Sequence, residues 1–417
     1  MTMRATTTVF VVAGAVLLAG CWEADRPSHD GPLYFEVGFD PNRPAPQGLD
    51  RDAPAPFTTD ARGYPLVIQA MGYDHEPMDW DGSVTVRVTP GELRSSPSFA
   101  IVGGRATPTV DVALAFDELR IWVSDEGDDG TNGSFAAGVA DPVFVALPTV
   151  AELQRPIGSD DASPLTHQYV PIRGFADTAP RQLLVTTVTN DGFYVTDFDD
   201  EAGSYNSLFV FTFSRPDGVV PGTALAALAG IVSEFIGFTE LQFPTYDVDS
   251  TGHSVGEPFD LDPAILCDDD AMEAWEASVV RLSDLVSDFA SAADCADYVD
   301  FGQWPALVEG TCGDEPARIS IVNQNTVPSF GFPECENNQP PDERQLDYLV
   351  GILRHVAPAD PPWVIEVRSC LDFPPEHRPA DCAGLLERPM SGPRKAPHAY
   401  YRDIDTCEGV PYHLHGG

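Results

Sequence analysis

The chain has 417 residues and is strongly acidic: 65 Asp and Glu residues face 23 Lys and Arg residues, for a formal charge of −42 at pH 7. Such a charge opposes contact with phosphate groups, so the composition disfavours nucleic acids and anionic head groups as ligands. The hydrophobic fraction of 43% is that of a folded protein, and the length indicates two or three domains.

The amino terminus has the pattern of an exported lipoprotein. An apolar run ends at Gly20 and is too short for a permanent transmembrane helix, but it has the length of a secretory signal segment. Its last residues, LAGC at 18–21, resemble the bacterial lipobox. This resemblance implies a signal peptide over 1–20 with cleavage after Gly20, lipidation of Cys21, and anchoring at the outer membrane or cell surface. The alternative is an ordinary signal peptide followed by a coincidental cysteine.

Residues 21–62 are rich in Pro and Asp and predict a tether between the membrane and the first domain. Over residues 63–145, apolar and polar residues alternate, with Val84, Val86 and Val88 on one face and Asp-Gly and Pro-Gly turn signals between the runs. This pattern predicts a β-sandwich that resembles the immunoglobulin-like domains of bacterial surface proteins. Trp122 is expected in its core.

Residues 148–250 carry the strongest β pattern of the chain. Runs of β-branched and aromatic residues are divided by turn signals at Asn190-Asp191-Gly192 and at RPDG over 215–218. Residues 224–235 have the propensity of a helix, but Gly230 and the β-branched residues after it favour a strand bent at the glycine.

The order of motifs in this segment carries a family resemblance. SPL at 163–165, DGFYV at 191–195, YNSLFVF at 205–211 and the pattern L-x-G-x-V-x-E-F at 228–235 resemble the OB-fold-type module of secreted bacterial nucleases. They are also similar to myxobacterial-style surface lipoproteins that carry this module without the nuclease domain. The resemblance implies an OB-like β-barrel. Nuclease activity is not implied, because the acidic and histidine motifs of the phosphodiesterase domain do not follow.

Residues 264–375 resemble a second, diverged copy of this module. Residues 349–353 parallel residues 228–232, with Gly351 at the position of Gly230, and residues 318–322 and 363–368 are expected as its middle and closing strands. Residues 272–289 have helical spacing as well, but the analogy favours a strand over 278–287.

The second module and the tail over 376–417 hold seven cysteines: Cys267, Cys295, Cys312, Cys335, Cys370, Cys382 and Cys407. In an exported protein these predict disulfide bonds, and the absence of a Cys-x-x-Cys pair disfavours zinc binding by cysteine. Because the number of these cysteines is odd, at least one thiol remains outside any disulfide bond among them. The pairing is not determined by the sequence.

An acidic turn supplies the candidate metal ligands Asp125, Asp128 and Asp129, whose carboxylates are the kind of donor that Ca²⁺ takes. The spacing departs from an EF-hand loop, so a solvated loop is favoured. The same weighing applies to the acidic residues of 197–201 and 267–270. No other cofactor is predicted.

Residues 252–256, GHSVG, match the G-x-S-x-G nucleophile elbow with Ser254 as the nucleophile. That motif requires a buried strand before it and a helix after it, and neither is predicted here. A Gly-rich linker is favoured over a hydrolase site.

Together these patterns predict a mainly β protein: an Ig-like sandwich and two OB-like barrels, the second rich in disulfides, on a lipid anchor. The predicted function is non-enzymatic binding of an envelope glycan or protein. An accessory nucleic-acid-binding module is the alternative, and a serine hydrolase is the third. The alternative needs a basic patch, but the arginines of the barrel regions are dispersed: Arg173, Arg181, Arg215, Arg281, Arg318, Arg344, Arg354 and Arg368.

Overall fold

The computed structural model describes residues 34–125, 133, 135–158, 162–177, 179–323, 331–356, 362–378, 380 and 382. As predicted, this part of the chain is mainly β, with strands far outnumbering short helices. Two antiparallel sheets come first, and two closed five-stranded barrels follow.

Ten strands build the first domain: β1 (Tyr34–Phe39), β2 (Arg62–Met71), β3 (Gly82–Thr89), β4 (Glu92–Leu93), β5 (Ser98–Ile101), β6 (Arg105–Ala106), β7 (Thr109–Ala113), β8 (Asp117–Ser124), β9 (Gly138–Val139) and β10 (Val143–Val145). One sheet has the order β1-β2-β7-β4 with β6 on β2, and the other has the order β10-β8-β3-β5 with β9 on β8. Buried side chains of both sheets share one hydrophobic core.

The alternation along the strands explains which residues enter this core. Val84 and Val86 are buried, as predicted. The prediction for Trp122 is wrong: Ile121 and Val123 take the inward positions of β8, so the period of two turns Trp122 outward, where it is 42% exposed.

The tether predicted over 21–62 is wrong from residue 34 onward. Strand β1 pairs along its whole length with β2, and the Ala55 N–H donates a hydrogen bond to the Phe144 oxygen at 2.9 Å. Ala55 and Phe57 are buried. Apolar side chains within the Pro-rich stretch therefore fold it onto the first domain. Residues 1–33, with Gly20 and Cys21, lie outside the described residues.

A short helix and a strand lead into the first barrel. Helix α1 (Val150–Gln154) begins with a capping box, in which Thr149 and Glu152 satisfy each other's backbone N–H groups. Its buried side chains join the core of the first barrel, as do Phe57, Leu114 and Phe116 of the first domain. Strand β11 (Tyr169–Ile172) then pairs with a barrel strand.

Five strands form the first barrel: β12 (Leu183–Val188), β13 (Gly192–Asp197), β14 (Ser207–Phe211), β15 (Ala224–Glu234) and β16 (Thr239–Ser250). The order is β12-β13-β14-β16-β15, and β15 pairs back to β12 to close the barrel. Only β14 and β16 pair in parallel within this ring. The predicted turn at residues 190–192 and the predicted strand from residue 224 are both confirmed.

The second barrel repeats this order. A strand, β17 (Phe259–Asp260), and a helix, α2 (Asp269–Glu273), precede the ring strands β18 (Val279–Ser287), β19 (Gln303–Cys312), β20 (Glu315–Val322), β21 (Gln345–His355) and β22 (Trp363–Glu366), and helix α3 (Ala292–Phe301) follows β18. The order is β18-β19-β20-β22-β21, with β21 pairing back to β18 and with β20 parallel to β22. The strand predicted over 278–287 is therefore confirmed.

Two glycines occupy equivalent places in the two barrels. A Cβ on Gly230 would lie 2.6 Å from Leu241 Cγ, and a Cβ on Gly351 would lie 2.4 Å from Ile365 Cγ2. In each barrel the glycine of the fourth ring strand, β15 or β21, packs closely against the fifth, β16 or β22. The internal parallel inferred from 228–232 and 349–353 thus reflects one shared packing requirement.

Three disulfide bonds fasten the loops and turns of the second barrel: Cys267–Cys312, Cys295–Cys335 and Cys370–Cys382. The first two close loops of 45 and 40 residues. Loops of this size correspond to about 4 kcal/mol each in the chain-entropy account. Cys407 lies outside the described residues.

We expect Gly351→Ala to destabilise the protein by about 1–3 kcal/mol, because the new methyl group overlaps Ile365 and the fifth strand's backbone. Gly38→Ala is the matched control, since a Cβ there meets no atom within 4 Å, and we expect a change within about 0.5 kcal/mol. Thermal unfolding followed by circular dichroism measures both. Equal destabilisation by the two substitutions would contradict the packing argument.

Candidate functional site

The two barrels contact each other along a seam that has an apolar part and an acidic part. Its apolar part buries side chains of both barrels: Tyr194, Phe209 and Phe238 of the first and Ala277, Val279, Val350 and Ile352 of the second. The Ser278 hydroxyl also donates to Ser207 Oγ at 3.1 Å across the seam.

Two glutamates and a histidine converge in the acidic part. Glu273 ends α2, Glu276 lies in the turn before β18, and His355 ends β21. The Glu276 N–H donates to the Glu273 oxygen at 3.1 Å, so both side chains leave the same turn. Because the Ala277 N–H donates to the Leu353 oxygen at 2.9 Å, this turn lies beside the end of β21. One ligand atom of each residue lies within 4.8 Å of the others.

Hydrogen bonds from Thr239 and Ser163 hold the carboxylate of Glu276 and a fourth carboxylate, that of Glu234, which ends β15 of the first barrel. The Thr239 N–H donates to Glu276 Oε2 at 3.1 Å, and the Thr239 hydroxyl donates to Glu234 Oε1 at 2.8 Å. The Ser163 N–H also donates to Glu234 Oε1, at 2.8 Å. The second oxygens, Glu276 Oε1 and Glu234 Oε2, are buried and have no hydrogen-bond partner among the described residues.

Negative charge exceeds positive charge around this cluster. Burial raises the pKa of Glu276 well above its ordinary value, and the neighbouring charge of Glu273 raises it further. Burial likewise raises the pKa of Glu234. Arg354 is the nearby cation, but its guanidinium pairs with Glu366 at 2.9 Å. The acidic part therefore holds carboxylates whose charge is not fully compensated.

His355 is held in one orientation by contacts on two sides. Its Nδ1 lies 2.8 Å from the Gly237 oxygen, and its ring stacks on Trp363 with centroids 4.7 Å apart. Gly237 has a φ of +76°, and a Cβ there would lie 2.2 Å from His355 Nδ1, so the position requires glycine. A carbonyl oxygen can only accept, so Nδ1 carries a proton, and in the neutral ring the lone pair then lies on Nε2.

Carboxylate oxygens and an imidazole nitrogen in this arrangement are donors that divalent metal ions take. Sequence reasoning missed the cluster because His355 is far from Glu273 and Glu276 along the chain. The Glu-x-x-Glu spacing is the one local signal, and it is unremarkable in so acidic a chain. Only the pairing of β18 with β21, which closes the second barrel, brings the three side chains together.

A second feature lies on the surface of the first barrel, where Phe211, Phe213 and Phe243 form an aromatic stack. The ring centroids of Phe211 and Phe213 are 4.4 Å apart, and those of Phe213 and Phe243 are 4.9 Å apart. Phe213 is 55% exposed and Phe243 is 61% exposed. Both have positive φ, at 61° and 49°, a conformation that costs energy in an aromatic residue.

Polar groups lie beside the aromatic stack. Gln242, next to Phe243, donates from Nε2 to Glu240 Oε1 at 2.6 Å. The Thr212 N–H donates to the Asp191 oxygen at 2.8 Å, which places the β12–β13 turn beside the stack. Burial raises the pKa of Glu240, and the nearby charge of Asp191 acts in the same direction. The surface thus combines exposed rings with the partly exposed side chains of Gln242 and Asp191, while Glu240 is buried beneath them.

Of the three candidate metal ligands predicted from the sequence, only Asp125 lies among the described residues. The Asp125 carboxylate accepts a hydrogen bond from the Phe135 N–H at 3.3 Å, while Asp128 and Asp129 lie outside the described residues. Asp197 is fully buried and accepts from Arg181 Nε at 2.8 Å. Asp268 caps α2 through the Ala271 N–H. Asp125, Asp197 and Asp268 therefore have structural hydrogen-bond partners.

Ser254 lacks the surroundings of a nucleophile elbow. It is exposed and lies in a stretch without regular structure between the end of β16 and β17. The Gly256 N–H donates to its Oγ at 3.4 Å, and the neighbouring His253 Nε2 bonds instead to the Ser250 hydroxyl at 2.7 Å. The expected linker after the last strand of the first barrel is what the structure shows.

Most arginines of the two barrels are neutralised by acidic partners. Six pair with Asp or Glu side chains: Arg181, Arg281, Arg318, Arg344, Arg354 and Arg368. Arg173 donates to the Leu147 oxygen at 2.8 Å, and Arg215 is exposed. These contacts leave no cluster of unpaired cations among the named arginines.

Comparisons with known proteins add little to this geometry. No family model and no curated protein matches the chain. Among solved structures it is similar to the pilus backbone of Streptococcus pneumoniae, with 11% identity, 65% of this chain and 67% of that chain covered, and a TM-score of 0.14. A similarity at that score supports no inference. Within the described ranges, none of the helices has the length and apolar character needed to cross a bilayer.

We expect the Glu240→Gln variant to lose less stability than the wild type as pH rises. Because burial raises the pKa of Glu240, the native state binds its proton more tightly than the unfolded chain. Its contribution is therefore present below the ordinary pKa of 4.5 and is lost as pH rises through the folded value. Melting temperatures are measured from about pH 4 to pH 8. The melting temperature of the variant minus that of the wild type should increase as pH rises.

Glu257→Gln is the control, since the Glu257 side chain is 90% exposed. We expect its pH profile to follow the wild type. Parallel profiles for the wild type and Glu240→Gln would show that the Glu240 carboxyl does not titrate differently on folding.

Proposed function

We propose that the protein is a non-enzymatic, lipid-anchored protein of the outer membrane or cell surface that binds an envelope glycan through the aromatic stack of its first barrel. The single observation that carries the glycan assignment is the exposure of Phe213 and Phe243 beside Gln242 and Asp191. Rings of this kind can lie against the apolar faces of sugars, while amide and carboxylate groups bind hydroxyls.

Export and anchoring are supported by two features. The sequence LAGC at 18–21 resembles a lipobox, which assigns the lipid to Cys21. Three disulfide bonds in the second barrel fit an oxidising compartment outside the cytoplasm.

The fold supports a binding role. In each barrel the third strand pairs in parallel with the fifth and the fourth closes onto the first, which is the arrangement we assign as OB-like. OB barrels bind oligosaccharides and oligonucleotides across one sheet face. The first domain, with two antiparallel sheets around one core, is assigned as Ig-like and serves as a spacer.

Charge favours a glycan over a nucleic acid as the ligand. Phenylalanine rings also stack on nucleobases, but single-stranded nucleic acids additionally require a positively charged groove. The chain carries −42, and six of its barrel arginines are paired with carboxylates. We therefore assign a neutral or amino-sugar polymer to the aromatic stack. The surroundings of Ser254 give no support to a hydrolase.

We expect the double substitution Phe213→Ala and Phe243→Ala to weaken glycan binding at least about tenfold, as loss of about 1.4 kcal/mol of stacking would do. The full chain in detergent is titrated with neutral envelope polysaccharide and with chitooligosaccharides as defined probes. Trp122→Ala is the control, because Trp122 is also exposed but lies on the first domain.

Two outcomes would overturn the assignment. Binding that survives the double substitution would show that the aromatic stack is not the glycan surface. Tight binding of single-stranded DNA at low salt, with affinity falling steeply as salt rises, would favour the nucleic-acid alternative.

A separate experiment tests the anchor. We expect Cys21→Ser to move the protein from the membrane fraction to the soluble fraction, because the substitution removes the acyl chains that hold it on the bilayer. Cys407→Ser, which leaves the lipobox intact, should remain in the membrane fraction. Unchanged membrane association of Cys21→Ser would exclude lipidation at this residue as the anchor.

A further inference from the structure

We propose that Glu273, Glu276 and His355 of the second barrel bind one divalent transition-metal cation beside Glu234 of the first barrel, and that Zn²⁺ is the best-fitting ion. The bound cation would fix the two barrels to each other. This proposal is independent of the glycan assignment, because the aromatic stack contributes no ligand.

The distances suit a small cation. One ligand atom of Glu273, of Glu276 and of His355 lies within 4.8 Å of the others. Ligand atoms around Zn²⁺ are bonded at about 2.0–2.2 Å, so they lie roughly 3–4 Å from each other. The upper spacing of 4.8 Å is about one ångström wider than this, so the side chains would move closer together around a bound ion.

Unpartnered buried oxygens supply a second, independent observation. Glu276 is 1% exposed, and its Oε1 has no hydrogen-bond partner among the described residues. The same holds for the buried Oε2 of Glu234. A buried carboxylate oxygen without a partner is costly, and a directly bound cation removes that cost. The backbone N–H and hydroxyl groups that reach these residues already bond to the other oxygen of each.

The imidazole is prepared for coordination. His355 donates from Nδ1 to the Gly237 oxygen at 2.8 Å and stacks on Trp363. Metal-binding histidines commonly donate their second ring N–H to a carbonyl, which fixes the tautomer and the ring plane. Here that bond leaves the Nε2 lone pair available.

The donor set selects among cations. Ca²⁺ takes six to eight oxygen ligands and Mg²⁺ keeps several waters, and neither prefers an imidazole. Imidazole with carboxylates suits Zn²⁺ and related transition ions. Zn²⁺ is therefore the probe of choice, and Ca²⁺ is the comparison.

Such an ion would act on the junction between barrels. His355 bonds to Gly237, and Glu276 bonds to Thr239, so both are held by the β15–β16 connection of the first barrel. Glu234 lies at the end of β15 itself. A cation held by these side chains would join that connection to the second barrel at one point.

We expect calorimetric titration of the metal-stripped full chain, in detergent, to show one equivalent of Zn²⁺ bound and much weaker Ca²⁺ binding. His355→Ala and Glu276→Gln should each weaken Zn²⁺ binding at least about tenfold. His253→Ala is the control for surface histidines, since His253 is exposed, and its affinity should equal that of the wild type.

A second readout separates coordination from structural support. Glu276→Gln keeps an oxygen that can accept from the Thr239 N–H, so the metal-free variant should still fold and melt cooperatively, while the rise in melting temperature on adding Zn²⁺ disappears. If His355→Ala does not fold, the Zn²⁺ titration and melting curves of Glu276→Gln alone test the proposal. Absence of stoichiometric Zn²⁺ binding by the wild type, or unchanged binding by Glu276→Gln, would overturn the proposal.

Discussion

The hydrogen bonding of one long, bent strand in each barrel sustains the rest of this structure. β15 pairs with β11, β12 and β16, and β21 pairs with β18 and β22, so each barrel closes through its fourth strand. The strand must approach its neighbour closely at Gly230 or Gly351, where a side chain would overlap the fifth strand. Without that approach the sheet would stay open and expose an edge.

The ends of the same strands build the junction between the barrels. Glu234 ends β15 and His355 ends β21, and the turn with Glu273 and Glu276 precedes the strand onto which β21 closes. Barrel closure therefore sets the positions of all four side chains. An apolar patch next to them, with Phe209, Phe238 and Val350 among its members, keeps the two barrels in contact. Carboxylates end up buried because strand geometry and apolar packing place them there.

Acidity has different consequences in different parts of the molecule. Nearer the surface, carboxylates pair with the few arginines, as Asp288 does with Arg318 and Glu334 with Arg344. At helix ends they bond to backbone N–H groups, as Asp268 does at α2. In the seam, Glu276 and Glu234 each have one bonded oxygen and one buried oxygen without a hydrogen-bond partner among the described residues, an arrangement that favours binding of a cation. The same excess of acidic residues thus disfavours polyanionic ligands at the protein surface and favours a metal ion at the buried carboxylates of the seam.

Local patterns in the sequence were enough to predict the β class, the turn at residues 190–192, the strand over 278–287 and the correspondence of Gly230 with Gly351, because alternation and turn chemistry act over a few residues. The tether boundary and Trp122 were predicted wrongly, since burial depends on which face meets another sheet. Disulfide pairing, the aromatic stack and the cluster at Glu276 and His355 were decided by the tertiary structure alone. Each joins residues distant in the chain, and only the closure and docking of the barrels brings such residues within bonding distance.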